Sequence, residues 1–134
     1  SSSFSVSNPI ATLECHLGCR VELGRGPKGD AGPFQFSVLS HWFAALISAP
    51  VEPQRLNIFK HELGRLAAGK SKEASLINAH GNLELQLVTG PRGNVSVTGT
   101  ICKDMSNDEQ IAYELETDLT AVSIFHRMLT DYHE

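Results

Sequence analysis

The segment Cys15–Cys19, which reads Cys-His-Leu-Gly-Cys, is the one cluster of metal-ligand residue types in the sequence. A structural zinc site takes four ligands in closely spaced pairs, and Cys102 has no such neighbour. On a regular β-strand, Cys15 and His16 point to opposite faces, so they cannot both coordinate one ion. We therefore expect cysteines of the core or of turns, with no metal site and no cofactor.

Six histidines occur at no spacing that is typical of a metal site or a catalytic triad: His16, His41, His61, His80, His126 and His133. A general base needs a nucleophile or a carboxylate close to it, and the sequence contains no nucleophile elbow, His-Glu-x-x-His helix or dinucleotide fingerprint. We therefore predict no catalytic residue and a protein that is not an enzyme. The alternative is a small-ligand-binding or enzymatic α+β domain whose site, between sheet and helices, uses Trp42, His41 and Cys102.

Carboxylates gather around the last predicted strand: Asp104, Asp108, Glu109, Glu114, Glu116 and Asp118. Glu84 joins them on the polar sheet face if the strands pair in chain order. An acidic face steers a basic partner and speeds its association, although surface charge more often serves solubility. Together with the loop Gly24–Pro33, these carboxylates give the predicted contact residues: Asp108, Glu109, Glu114, Glu116, Glu84, Arg25, Lys28 and Asp30.

The composition restricts the class of protein. The chain has 134 residues, of which 41% are hydrophobic and 19% charged, so we expect one globular domain over residues 1–134. A net charge of −4 disfavours a phosphate backbone, and we expect no nucleic-acid partner. No apolar run approaches the roughly 20 residues of a membrane helix, and three cysteines fit a reducing compartment. These features predict a cytoplasmic protein with no membrane partner.

Strand patterns dominate the first third of the chain. Apolar residues recur at every second position in short groups, namely Phe4 and Val6, Leu13 to Leu17, and Val21 and Leu23, and again in Phe34–Val38 after a loop rich in Gly and Pro. This predicts strands and a hairpin with a long tip. The apolar run His41–Ile47 fits either a strand or one helical turn. From Pro53 to near Gly69, apolar residues recur every three or four positions and predict an amphipathic helix.

The second half repeats the strand pattern. Leu83–Leu87, Val95–Ile101 and Ile111–Leu115 alternate between apolar and polar residues, which predicts an antiparallel meander with one polar face. Asp118 or Thr120 caps a last helix. Its inner side is predicted to carry Val122, Phe125, Met128, Leu129 and Tyr132.

These elements predict an α+β fold. We expect a mostly antiparallel β-sheet of about six or seven strands, with two amphipathic helices, one central and one C-terminal, on one face of the sheet. A barrel with peripheral helices is the alternative packing.

Four features follow one another between about Leu56 and Leu129: the helix pattern Leu56-x-x-Phe59-x-x-x-Leu63, the strand Leu83–Leu87, the segment Gly-Asn-Val-Ser-Val-Thr-Gly at positions 93–99, and the entry Tyr113–Thr120 to the last helix. In this order they resemble the WapI-type immunity proteins, which are encoded beside bacterial polymorphic toxins. The resemblance covers somewhat more than half of the chain.

The resemblance implies an immunity protein that binds and neutralises a cognate toxin domain by stoichiometric protein–protein interaction, as one half of an effector–immunity pair in bacterial competition. It implies no catalytic residue, because the family is not known by any. Self-association of the chain stays open beside toxin binding, since an exposed strand edge can pair with a toxin strand or with itself.

Overall fold

Two four-stranded antiparallel sheets and two α-helices make up the part of the chain that the structure describes. The computed structural model describes residues 6, 8–25, 34–41, 43–79, 81–102 and 110–132. The first sheet has the order β1-β2-β3-β4, with strands at Asn8–Glu14, Arg20–Arg25, Phe34–Leu39 and Ala44–Ala49. The second sheet has the order β5-β6-β7-β8, with strands at Glu73–Ile77, Leu83–Thr89, Asn94–Cys102 and Gln110–Asp118. Helix α1 (Pro53–Ala67) follows the first sheet, and helix α2 (Leu119–Asp131) follows the second.

The α+β class with antiparallel strands and two helices is confirmed, but the single sheet of six or seven strands is wrong. The described residues form eight strands in two sheets. The apolar faces of the two sheets pack against each other, and the rings of Phe36 on β3 and Tyr113 on β8 lie 6.3 Å apart. Each sheet thus buries its apolar face against the other, which removes the need for one broad sheet covered by helices.

Strand pairing follows the predicted hairpin and meander. Arg25 pairs with Phe34 on either side of residues 26–33, which lie outside the described residues. In the second sheet, Val97 pairs with both Leu87 and Leu115. The three cysteines are free and buried, as expected for thiols of the core.

Both helices lie where the sequence predicts them. Pro53 opens α1, and Gly69 beyond its end has a φ of +78°, which glycine adopts without strain. The Asp118 carboxylate accepts a hydrogen bond of 2.9 Å from the Ala121 N–H and caps α2. Met128, which was predicted on the inner side of this helix, is 37% exposed, and its sulfur contacts β1. Neither helix, nor any other in the described part of the chain, is long and apolar enough to cross a membrane.

The described residues contain two copies of one unit, which consists of four antiparallel strands followed by a helix. Phe59 is the seventh residue of α1, and Phe125 is the seventh residue of α2. Their rings meet edge to face, 6.3 Å apart, where the helices contact each other. The repeat is also visible in the sequence, which reads Leu-Asn-Ile-Phe at 56–59 and Val-Ser-Ile-Phe at 122–125.

Each helix packs against the edge strand of the other half: α1 against β5, and α2 against β1. Glu62, the tenth residue of α1, accepts a hydrogen bond of 3.0 Å from the Ser75 N–H. Met128, the tenth residue of α2, places its sulfur 3.4 Å from the Thr12 nitrogen, where it accepts from that N–H. The helices therefore cover two of the four outer strands.

A buried pair of asparagines joins the two halves at the end of β4. The Asn78 Nδ2 donates to the Pro50 carbonyl at 3.0 Å and to the Asn82 Oδ1 at 2.6 Å. The Asn82 Nδ2 in turn donates to the Ser48 carbonyl at 3.4 Å. This network fixes the turn between β5 and β6 to the first sheet.

Candidate protein-binding face

The outward side of the second sheet carries five exposed carboxylates: Glu73, Glu84, Glu114, Glu116 and Asp118. Thr100 lies directly opposite both Glu84 and Ala112. Thr98 lies opposite Glu114 in the same register. Because directly opposite residues share one face of a sheet, these side chains project to the same side. None of the described outward-facing strand residues is lysine or arginine. We call this surface the acidic face.

The acidic face has this composition because strand residues alternate. On β8, Tyr113, Leu115 and Thr117 are buried, and the glutamates between them are exposed. Tyr113 packs over Gly99 on β7 and donates a hydrogen bond of 2.7 Å to the Glu84 carbonyl. Burial raises the pKa of the Tyr113 hydroxyl, with a further contribution from Glu84, so this group stays protonated as a donor. The inward side thus holds β6, β7 and β8 in the register that presents the carboxylates.

His16 reaches the acidic face from the turn between β1 and β2. Its Nδ1 lies 3.4 Å from a Glu116 oxygen, and its Nε2 lies 3.6 Å from an Asp118 oxygen. The Asn94 Nδ2 donates to the other Glu116 oxygen at 3.2 Å. Glu116 and Asp118 are therefore held in place by neighbours, while Glu84 and Glu114 project freely among the described residues.

The turn that carries His16 is tight and strained. The Cys15 N–H donates to the Cys19 carbonyl at 2.8 Å and closes the turn around a 3-10 segment, His16–Gly18. Leu17 has a φ of 62°, which is rare for a residue with a side chain, and is 80% exposed. The prediction of Leu17 as a strand residue is therefore wrong. The turn presents an apolar side chain to solvent at the border of the acidic face.

A cleft of about 470 Å³ lies beside this turn. Its lining includes His16, Leu17, Cys19, His41, Glu114 and Glu116. The cleft therefore combines polar groups of the acidic face with an apolar rim.

Burial disfavours the thiolate form of Cys15, the first residue of this turn. Cys15 has its pKa raised to about 12 by burial, with smaller contributions from Cys19 and Glu14. The thiolate is the reactive form of cysteine, so Cys15 is unreactive at neutral pH. Within the described residues, no group of three or more His, Cys, Asp or Glu side chains is arranged to hold a metal ion.

Arg25 has a structural contact rather than a place on the acidic face. Its guanidinium carbon lies 3.9 Å from the centre of the Phe34 ring, and its Nε donates to the Tyr132 hydroxyl at 2.9 Å. The arginine thus ties the chain after α2 to the first sheet. Four further predicted contact residues lie outside the described residues: Lys28, Asp30, Asp108 and Glu109. The structure therefore places Glu84, Glu114 and Glu116 together and separates Arg25 from them.

Sequence reasoning missed His16 and Glu73 as members of this surface. Glu73 belongs to it through β5, a strand of five residues that the alternation pattern did not reveal. His16 belongs to it through the packing of one sheet against the other, for which the sequence carries no local signal.

Comparisons with known proteins bear on the fold. No protein-family model matches the sequence, and no curated protein matches it. The crystal structure of MRP1/MRP2 from Trypanosoma brucei is similar, with 11% sequence identity, a TM-score of 0.52, and coverage of 88% of this chain and 74% of that one. At this level of identity the likeness shows a shared fold and carries no function across.

Proposed function

We propose that the chain is an immunity protein that binds and neutralises a cognate bacterial toxin domain by stoichiometric protein–protein interaction. The observation that supports this most is the acidic face, with five exposed carboxylates and no lysine or arginine among its described strand residues. We expect the toxin domain to present a basic surface to it. The proposal places the protein in the cytoplasm, where it meets the toxin.

The spacing of the carboxylates makes them act together. Glu84 on β6 and Glu114 on β8 are two strand spacings apart and offset by two residues along the strands, which together makes about 12 Å. This is about one Debye length at 0.1 M salt, so the fields of the two groups add at low salt and are screened at high salt. A common field of this kind raises association rates and suppresses wrong partners more than it raises affinity.

The same face disfavours nucleic acid. Phosphate groups would have to approach exposed carboxylates, which costs electrostatic free energy. A protein surface with clustered lysine and arginine residues is attracted to the same carboxylates that repel a nucleic acid. The proposed partner is therefore a protein.

The test is co-expression of the tagged chain with the C-terminal domain encoded by the neighbouring gene. We expect co-purification as a complex of fixed stoichiometry, measured by light scattering, and survival of cells that the toxin domain alone kills. The matched control co-expresses that domain with a stably folded, unrelated acidic protein. Free chain together with undiminished toxicity would contradict the proposal.

The cleft favours a second candidate, a small-ligand-binding domain. Its volume of about 470 Å³ lies in the range of ligand pockets, and two histidines and two glutamates line it. Of the residues first considered for such a site, His41 lines the cleft. Cys102, at the end of β7, is instead buried beside Gln110 of β8, and Trp42 lies outside the described residues. A small molecule that raises the melting temperature of the pure chain would favour this candidate.

A further inference from the structure

The outer strands of the two sheets differ in what covers them. β1 and β4 are the outer strands of the first sheet, and β5 and β8 are those of the second. Helix α2 packs against β1, and α1 packs against β5. Arg55 on α1 donates to the Ile77 carbonyl at 2.9 Å, in addition to the contact of Glu62 with Ser75. The edges of β1 and β5 are therefore engaged by helix side chains.

β8 is protected against pairing with a further strand in a different way, by its charge. It carries three exposed carboxylates, Glu114, Glu116 and Asp118, along its outward side. Like charges brought together across a strand pair are destabilising. Charged side chains on an edge strand are a common means by which proteins prevent pairing with another copy.

Among the described residues, β4 has neither a helix packed along it nor a charged side chain of its own. Its six residues, Ala-Ala-Leu-Ile-Ser-Ala, contain no charged side chain and no proline. Among the described residues β3 is the one strand that pairs with it, and the Asn82 side chain reaches only the Ser48 carbonyl near its end. An uncharged, apolar edge of this kind is a template for pairing with a further strand.

We infer that β4 pairs antiparallel with β4 of a second copy of this chain, so that two first sheets join into one sheet of eight strands. A two-fold axis perpendicular to the sheet through Leu46 sets Leu46 opposite its own copy and Ala44 opposite Ser48. Residues of equal parity then meet, so the core-facing Ile47 stays on the core side in both copies.

The chemistry of β4 favours a second copy over a different protein. The strand consists of small and aliphatic residues, so its two copies meet without charge repulsion. The acidic face belongs to the other sheet and stays open for the toxin domain in the dimer. A pairing of six residues is a small interface, so the dimer is expected to be reversible and to dissociate on dilution.

The first test measures mass by sedimentation from micromolar to roughly millimolar protein. The wild-type chain is expected to rise from 14.6 kDa towards twice that mass. Leu46→Lys places two lysines opposite each other and is expected to stay monomeric with an unchanged circular dichroism spectrum. Ala112→Lys on β8 is the matched control, also on the outward side of an outer strand, and is expected to dimerise like the wild type.

The second test needs no variant. Amide hydrogen exchange of residues 44–49 is expected to slow as the wild-type concentration rises, while exchange of residues 110–115 on β8 stays constant. A wild-type chain that stays at 14.6 kDa, with fast exchange in β4 at every concentration, would overturn the inference. Equal dimerisation of a folded Leu46→Lys variant would overturn it as well.

Discussion

Replacing Asn78 by alanine removes the buried polar contact that joins the two halves of the chain. The side chain is 2% exposed, donates to Pro50 and Asn82, and accepts a hydrogen bond of 3.2 Å from the Leu83 N–H. Alanine leaves the Leu83 N–H and the Asn82 Oδ1 without this partner inside the protein. Each such group costs about 1 to 3 kcal/mol. Some rehydration is expected, so we predict a loss of about 2 to 4 kcal/mol in the free energy of unfolding.

The assay is urea unfolding followed by circular dichroism, with the melting temperature as a second readout. For a chain of this size the loss corresponds to a fall of roughly 10 °C in the melting temperature. Asn57→Ala is the matched control, because Asn57 is exposed on α1, and its effect is expected to stay within about 0.5 kcal/mol. If Asn78→Ala loses less than about 1 kcal/mol at an unchanged urea dependence, the network does not hold the halves together.

Three further predictions concern single positions. Gly99→Ala is expected to cost about 2 kcal/mol in thermal unfolding, because a Cβ there would clash with the Glu84 backbone carbonyl oxygen and with the Tyr113 hydroxyl oxygen; a loss below about 0.5 kcal/mol would show that the strands adjust freely. Asp118→Ala is expected to cost about 1 kcal/mol by removing the cap of α2, and Asp118→Ser is expected to restore most of it in the same assay. The raised pKa of Cys15 favours its protonated form in the folded state, so this stabilisation is complete below about pH 9 and is lost as pH rises from there towards 12. Cys15→Ser is expected to flatten the fall in stability over that range, and an unchanged slope would show that Cys15 does not cause it.

The helices and most strands were predictable because their signals are local. Pro53, Asp118 and the spacing of the apolar residues define both helices without reference to the rest of the chain. Alternation on β6, β7 and β8 also predicted that Glu84 and Glu114 share a face, because the pairing of a meander follows chain order.

The division into two sheets was not predictable from these signals. β4 is apolar on both sides, so the period of two does not appear in its sequence. The similarity between residues 56–59 and 122–125 was the available clue, since a repeated helix indicates a repeated unit. The contact of His16 with Glu116 joins residues 100 positions apart, and depends on how the two sheets pack.

Charge reversal on the acidic face tests the central claim most directly. The variant is Glu84→Lys with Glu114→Lys, two exposed residues that project freely among the described residues; its control is Glu14→Lys with Asp131→Lys, two exposed residues on β1 and α2, outside the second sheet. Each variant changes the net charge from −4 to 0, because each substitution adds two charges. The measurement is the association rate with the neighbouring gene's toxin domain by stopped flow at low and high salt. We expect the first variant to bind at least about tenfold more slowly at low salt and the control to bind nearly as the wild type does. Equal rates for both variants at low salt would contradict the claim that the acidic face binds the partner.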